Sequence, residues 1–405
     1  MTLVSHGLTH ERLRDLVQDA HLSFLLGAGA SAPMFRLLGD IENLLTRLDA
    51  ADVDDDARAY ARASIYSGFF RSVVLRNQEL LDGDGDAPET LRRYQNFLQT
   101  INRLLLERRS SILNKQVNLF TTNVDLATEI AAEALQVHLN DGFSGRLRPR
   151  FSTSNFGSVV SRRSLQYDNL SEVPTFNLLK LHGSVSWSAE RDGENRPGIS
   201  LDVRLEQVAA AAEELERVDL ILVDVGRGTT LDDLLAGPIP ENAAEVFRPF
   251  LDAYDQLAIV NPTKAKFQQT VLNQNYYDLL RLFSNELEKE NAVLFVVGFS
   301  CRDEHIRELM VRAARTNPTL QIVIFAYSPS SATDIESAFD GYPITNSNIR
   351  LVAPPAPPAG EEALRFDLPT VVSEFFAKIV PATSEAKQTL DVRVSVQEPL
   401  VHLDD

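Results

Sequence analysis

Residues 22–32 read Leu22-Ser23-Phe24-Leu25-Leu26-Gly27-Ala28-Gly29-Ala30-Ser31-Ala32, an apolar run that empties into a string of small residues. A run of that length, mostly Leu and Phe without polar alternation, has the character of a strand covered on both faces of a parallel sheet. The small residues behind it fit the dinucleotide fingerprint with Ala in its third small position. Glycines there would let the backbone approach a pyrophosphate, and a helix opening after them would present free N–H groups to it. Small residues also serve any tight strand-to-helix turn, so the motif alone decides little. The acidic residue that a dehydrogenase places about 20 positions later would fall among Asp49, Asp52, Asp54, Asp55 and Asp56, a run that reads as a solvated loop.

Outward from this segment, similar runs recur at wide spacing: Val117 to Thr121, Asn177 to Leu181, Leu257 to Val260, Val293 to Val297 and Gln321 to Tyr327. Helical periodicity occupies stretches between them, as in Tyr276 to Glu288 and Ile306 to Ala314. Alternation of the two predicts an α/β fold: a doubly wound, mostly parallel Rossmann-like sheet with an inserted helical module and a small second lobe. The first strand and glycine loop take residues 1–35. Residues 36–115, rich in Leu, Arg and Asp and broken by the acidic turn Leu81 to Ala87, predict the helical insertion. The sheet continues over 116–184, with a loop insertion at 141–175. A small lobe spans 185–255, with one clear helix, Val203 to Val218, and a turn near Gly237 and Pro240. Residues 256–352 complete the sheet. Pro354, Pro355, Pro357, Pro358 and Gly360 form a stiff linker at the head of a tail, 353–405. That tail holds a helix candidate, Thr370 to Ile379, and an alternating strand, Leu390 to Val396.

Composition narrows the function classes. The 405 residues are 44% hydrophobic, enough for a sizeable core, and 57 acidic against 39 basic residues leave a formal charge of −18. Such a charge repels phosphate backbones unless basic groups gather locally, so direct nucleic-acid binding is not expected. Cys301 is the single cysteine. An intrachain disulfide and a multi-cysteine zinc site are therefore excluded, and a reducing compartment fits. No stretch approaches the ~18 apolar residues of a membrane span, and the N-terminus lacks a basic region followed by an apolar run. The expectation is a soluble, cytoplasmic protein without a membrane partner.

Polar residues stand at the carboxyl end of each predicted strand, where open α/β sheets bind ligands. The second ends in Thr121-Thr122-Asn123-Val124-Asp125, where Asn123 or Thr122 would serve equally as a helix N-cap with Asp125 favouring the dipole. The third ends in Lys180-Leu181-His182-Gly183-Ser184, placing an imidazole at the same edge. Val260-Asn261-Pro262 ends the fourth; its Asn suits a turn or a ribose hydroxyl. Gly298-Phe299-Ser300-Cys301-Arg302-Asp303 ends the fifth, either as a Ser300-to-Asp303 capping box or as a further ribose or phosphate contact. Five unrelated turns would have to place Gly, Asn, His, Asn and Ser at one edge of one sheet. A single site is the simpler account.

The ordered set GAGAS (27–31), TTNVD (121–125), KLHGS (180–184), IVNP (259–262) and GFSCRDEHI (298–306) resembles the sirtuin superfamily. It is more similar to the sirtuin-like NAD-hydrolase domains of bacterial antiphage defence systems than to the protein deacylases. The resemblance covers residues 22 to about 330 and implies an NAD-binding sheet that cleaves the nicotinamide–ribose bond of NAD+. It assigns Gly27, Ala28, Gly29 and Ser31 to the diphosphate, Asn123 and His182 to catalysis, and Asp125 to the nicotinamide end. Asn261, Gly298 and Ser300 fall to the adenosine ribose. Two departures stand out. The deacylases hold zinc with two CxxC pairs, which one cysteine cannot supply, so no zinc is expected. Their Gly-Ile-Pro-Asp-Phe-Arg run is replaced by Pro33-Met34-Phe35-Arg36, where Phe35 also suits a core-facing aromatic.

The chemistry implied needs a shaped pocket, a positioned nucleophile and a base that titrates near neutrality, as an imidazole at about 6.5 does. Asn123 carries both a donor and an acceptor and would orient water or a ribose hydroxyl without adding charge. With water as acceptor the products are ADP-ribose and nicotinamide. An unrestrained enzyme of this kind would exhaust the cell's cofactor, so the reading includes a trigger and assembly, with the helical insertion and the tail as segments not needed for the nucleotide site. The resemblance implies a homo-oligomer and a separate partner, an ATPase of the translocase type or a short Argonaute. Set against it are a protein deacylase, a catalytically idle nucleotide-binding scaffold and, last, a dehydrogenase.

Overall fold

The computed structural model describes residues 8–35, 41–108, 110, 112–166, 169–191, 197–218, 225, 228–260, 270–342, 346–355 and 363–381. Its centre is a seven-stranded sheet: β1 His21–Leu26, β2 Gln116–Thr121, β3 His138–Asn140, β4 Thr175–Lys180, β5 Ala292–Val297, β6 Gln321–Phe325 and β7 Ile349–Val352. Their order is β7-β6-β5-β1-β2-β4-β3, and every neighbouring pair is parallel. The near-continuous apolar strands are explained by cover on both faces. Phe24, Leu26, Phe295 and Val297 enter one core, while Leu25, Leu294 and Val296 enter the other. Successive side chains of a strand point to opposite faces, so each layer of helices needs its own set of apolar partners. The doubly wound α/β expectation is met.

The chain runs from β1 to β2, out to the edge strand β3 and back to β4 between them, then crosses to place β5 on the other side of β1. The reversal between β1 and β5 is a topological switch point, the place at which open α/β sheets bind ligands.

Five of the six predicted runs lie in this sheet. The sixth does not. Leu257–Ile259 is a strand, but it belongs to a second, antiparallel sheet in which it pairs with Gly183–Arg191, followed by Pro197–Leu201, Arg150–Phe151 and Phe143–Ser144. Its apolar residues are buried on both faces, Leu257 and Ile259 in one core and Ala258 in the other, so a three-residue run reads like a central strand whichever sheet it joins. Segment 141–175, expected as loops, supplies two of these strands and the hairpin Ser161–Arg163 with Leu170–Glu172. Phe151 packs on Trp187 with ring centroids 5.0 Å apart, giving the second sheet an aromatic core. The short strands β3 and β7 also lack a pattern of their own and take their form from β4 and β6.

The insertion folds as Ile41–Ala50, Asp55–Phe69, Arg76–Asp82 and Ala87–Leu106. Gly83, at φ +77°, closes the third helix in the left-handed region that a side chain would oppose. The 185–255 region holds more helix than its sequence suggested: Glu206–Glu216, Leu231–Leu235 and Ala243–Asp255. Pro249 lies inside the last of these and argues against a helix when read locally. Burial decides the matter, since Phe247, Phe250 and Tyr254 pack on helix Asp55–Phe69, with Tyr66 and Tyr254 stacked 4.2 Å apart.

The C-terminal helical stretch, Leu368 to Ile379, is part of the core. Phe376 lies 5.3 Å from Phe24 and 5.1 Å from Phe295, ring to ring. This stretch of the tail, expected to be dispensable for the nucleotide site, thus packs directly on strands β1 and β5. Strand candidate Leu390 to Val396, with Pro357, Pro358 and Gly360, lies outside the described residues. Among the described residues no helix is long and apolar enough to cross a membrane.

Candidate active site at the carboxyl edge of the parallel sheet

The glycine loop after β1 and the loop after β5 meet backbone to backbone. A Cβ on Gly27 would stand 2.5 Å from the Gly298 carbonyl oxygen, and one on Gly298 would stand 2.3 Å from the Ala30 nitrogen. Gly298 also holds φ at +67°. The N–H groups of Gly27 and Gly29 donate to the carbonyls of Val297 and Gly298, and those of Ala30 and Ser31 to Gly27 and Ala28. These glycines are therefore required by the junction of two loops at the switch point, whatever ligand lies over them. The sequence expectation of a helix opening directly after the loop is corrected: a single 3-10 turn, Ala28–Ala30, follows, and among the described residues the next α-helix is Ile41–Ala50. All four of these N–H donors are spent within the junction. Ala28 stays at the surface of the loop.

Asn123 and His182 occupy matched positions. Thr121 and Lys180 are register partners on β2 and β4, and the two residues stand two places beyond them. The turns are tied together by Leu181 N–H donating to Thr121 O (2.8 Å) and Val185 N–H donating to Val124 O (3.1 Å). Asn123 is 8% exposed. Its backbone N–H donates to Thr121 Oγ1 at 3.0 Å, and its Nδ2 donates to Ser31 Oγ at 2.9 Å. Ser31 Oγ in turn donates to Asp125 Oδ2 at 2.8 Å and lies 2.6 Å from the Tyr94 hydroxyl. Asp125 Oδ1 accepts from Ala127 N–H at 3.0 Å at the head of helix Ala127–Leu135, whose N-cap is Leu126, so the reading of Thr122 or Asn123 as the cap is corrected. Burial, reinforced by the Asp125 carboxylate, pushes the Tyr94 phenol well above its ordinary value. Asn123 Oδ1 is buried and accepts no hydrogen bond.

His182 sits at the turn where β4 leaves for the second sheet. Gly183 behind it has φ +77°, and a Cβ there would meet the Ala258 carbonyl oxygen at 2.2 Å. The His182 carbonyl accepts from Val260 N–H at 2.8 Å, which brings the Leu257–Ile259 strand against the turn. Nε2 of His182 lies 3.1 Å from Asp303 Oδ2. That oxygen is off the line of the ring N–H, so the contact is electrostatic and Nε2 is buried without a hydrogen bond. Asp303 Oδ1 accepts from His305 and Ile306 N–H at 3.1 and 3.2 Å, making Asp303 the N-cap of helix Glu304–Thr316. The Ser300-to-Asp303 capping box is corrected accordingly: the acid caps the helix itself, and Ser300 is exposed beside it.

Beneath both turns lies Lys180, 3% exposed. Its ammonium donates to the Asp125 carbonyl and to Ser184 Oγ (3.0 Å) and pairs with Glu129 Oε1 at 2.6 Å. Burial raises the Glu129 carboxyl above its ordinary value against the opposing pull of Lys180, and burial likewise raises Asp141. Glu129, Asp141, Lys180, Ser186 and Trp187 line a cavity of about 20 Å³, room for a water and far too small for a nucleotide.

Gly27, Ala28, Gly29, Ser31, Asn123, Asp125, His182, Gly298 and Ser300 thus all lie at the carboxyl ends of β1, β2, β4 and β5. Ser31 and Asp125 are buried within the network behind Asn123, and Phe35, 4% exposed, is a core aromatic. Asn261 and Arg36 lie outside the described residues. Tyr94 and Lys180 were given no role from sequence, and Asp303 only a place in the capping box. For Asp303 an acid directly before a helix was a usable signal; for Tyr94 there was none, since an aromatic on an amphipathic helix is ordinarily core. Cys301 is buried, and burial pushes its thiol up to about 12, which leaves it an inert thiol. Among the described residues no group of three or more His, Cys, Asp or Glu is placed to hold a metal ion. Comparison with known proteins finds no family model that matches the chain and no curated protein that matches it.

Proposed function

We propose that this chain hydrolyses NAD+ at the nicotinamide–ribose bond, releasing nicotinamide and ADP-ribose. The observation that carries the reading is the pairing of Asn123 and His182 at matched ends of adjacent parallel strands, each with a buried polar atom that has no hydrogen-bond partner, beside the β1/β5 switch point. A carboxylate 3.1 Å from Nε2 favours the imidazole proton on that nitrogen, leaving Nδ1 as the basic lone pair. Asn123 Oδ1 accepts a hydrogen bond from water or a ribose hydroxyl, and its orientation is set by the donation of Nδ2 to Ser31. As the bond to nicotinamide breaks, water adds to the ribose carbon and gives its proton to His182, so that NAD+ and water balance against ADP-ribose, nicotinamide and a proton. The order of five sequence motifs similar to sirtuin-like defence proteins supports the same substrate.

On that resemblance we place the activity in an antiphage defence system that depletes NAD+ when triggered, acting in the cytoplasm as a homo-oligomer with a separate ATPase or short Argonaute partner. The test is incubation of the pure protein with NAD+, with and without an acetylated peptide, following nicotinamide release. Release without peptide supports hydrolysis. Release only with peptide indicates a deacylase, and NAD+ binding without release indicates a scaffold subunit.

A further inference from the structure

We propose that Tyr94, from the helical insertion, is a positioning residue of the cleavage site, holding the catalytic asparagine through Ser31; this rests on the NAD-hydrolase reading. Ser31 Oγ has one hydrogen and two lone pairs. Its hydrogen goes to Asp125 Oδ2 at 2.8 Å, and one lone pair accepts from Asn123 Nδ2 at 2.9 Å. At 2.6 Å, Tyr94 must therefore be the donor to the remaining lone pair. Burial keeps the phenol protonated and so able to donate. Both hydroxyl hydrogens and one of the two Asn123 amide hydrogens are then assigned, and since Ser31 Oγ has no hydrogen left to give, only one orientation of the Asn123 amide fits: nitrogen toward Ser31, oxygen toward the substrate side.

The same insertion grips the site at two further points. Asn77, fully buried, accepts from Leu126 N–H at 3.0 Å and anchors itself by donating to the Val73 and Val74 carbonyls. Arg93, next to Tyr94, donates to the Ala32 carbonyl at 3.0 Å, just past the glycine loop. Three contacts from residues 77–94 thus brace the two loops that carry Ser31 and Asn123, so the insertion forms the back wall of the site and is not an appendage.

The experiment compares full-length wild type with Tyr94→Phe and, as a control, Tyr254→Phe, which removes another buried hydroxyl packed against the same insertion, one that has no hydrogen-bond partner. The expected result is a fall in kcat of roughly tenfold to a hundredfold for Tyr94→Phe, with KM within about twofold and thermal unfolding close to wild type, while Tyr254→Phe behaves as wild type. Undiminished kcat in Tyr94→Phe overturns the proposal; so does a loss of activity that follows stability in both variants, since that marks a merely structural role. If wild type itself releases no nicotinamide, the hydrolase reading falls. The positioning claim is then decided by solvent exchange of the Asn123 side-chain amide in asparagine-labelled protein: faster exchange in Tyr94→Phe supports it, and equal exchange refutes it.

Discussion

Replacing Lys180 by Met separates stability from positioning at this site. The ammonium is 3% exposed and pairs with Glu129 at 2.6 Å, so its loss leaves a carboxyl with a buried Oε2 and no counter-charge. Breaking a buried pair from one side costs about 3–5 kcal/mol. Unfolding entropy of about 2.1 cal/mol/K per residue over the 405-residue chain converts this to a fall of roughly 4–6 °C in the melting temperature. The cost depends on pH with a defined sign. Burial raises the Glu129 carboxyl in the folded state, so its contribution is intact below the ordinary carboxylate range and is lost as pH rises through the folded value. Without Lys180 that value rises further, and the destabilisation of Lys180→Met is smallest in acid and full at neutral pH. A second variant, Lys180→Met with Glu129→Leu, replaces both charges by apolar groups and recovers most of the stability. It does not restore the donation to the Asp125 carbonyl and Ser184, so NAD+ cleavage stays depressed. Differential scanning calorimetry between pH 4 and 8, with nicotinamide release on the same samples, reads both quantities. A double variant with wild-type turnover would show that Lys180 contributes only stability, and a pH-independent penalty would remove Glu129 from the account.

His182→Ala is expected to lower kcat by about 10²- to 10⁴-fold with the fold intact by circular dichroism, and Asn123→Ala to be similarly damaging; an effect confined to KM would make Asn123 a binding residue. Asp303→Asn keeps the helix cap, since Asn caps as well as Asp, but removes the charge 3.1 Å from His182; turnover should fall roughly tenfold, about 1.4 kcal/mol in the barrier, with an unchanged melting temperature. Gly298→Ala meets the Ala30 nitrogen at 2.3 Å and must hold a left-handed conformation that alone costs about 1–2 kcal/mol. Lowered stability together with lost NAD+ binding by calorimetry is the expected outcome, and a variant indistinguishable from wild type would refute the close-junction account.

Much of the architecture was legible because burial leaves a mark on composition. A strand covered on both faces must be apolar along its whole length, so β1, β2, β4, β5 and β6 stood out, and their order in the chain with helices between them predicted a parallel sheet. The residues beyond their carboxyl ends were legible for the same reason: polar and glycine residues directly after a buried run are conspicuous, which is how Asn123 and His182 were found. Decisions that depend on a distant partner left no such mark. Leu257–Ile259 is as apolar as a central strand, but the strand leaving His182 claims it for the second sheet. Pro249 sits in a helix because the aromatic face around it is buried on helix Asp55–Phe69. Gly27 and Gly298, far apart in sequence, are glycines because each would collide with the other's loop. Tyr94, Lys180 and Asp303 look like a core aromatic, a strand-end cation and a helix cap. Their relation to Asn123 and His182 exists only once the insertion and the strand ends converge, because a hydrogen bond depends on positions a few ångströms apart, and periodicity along the chain records which face is buried but not which atom it meets.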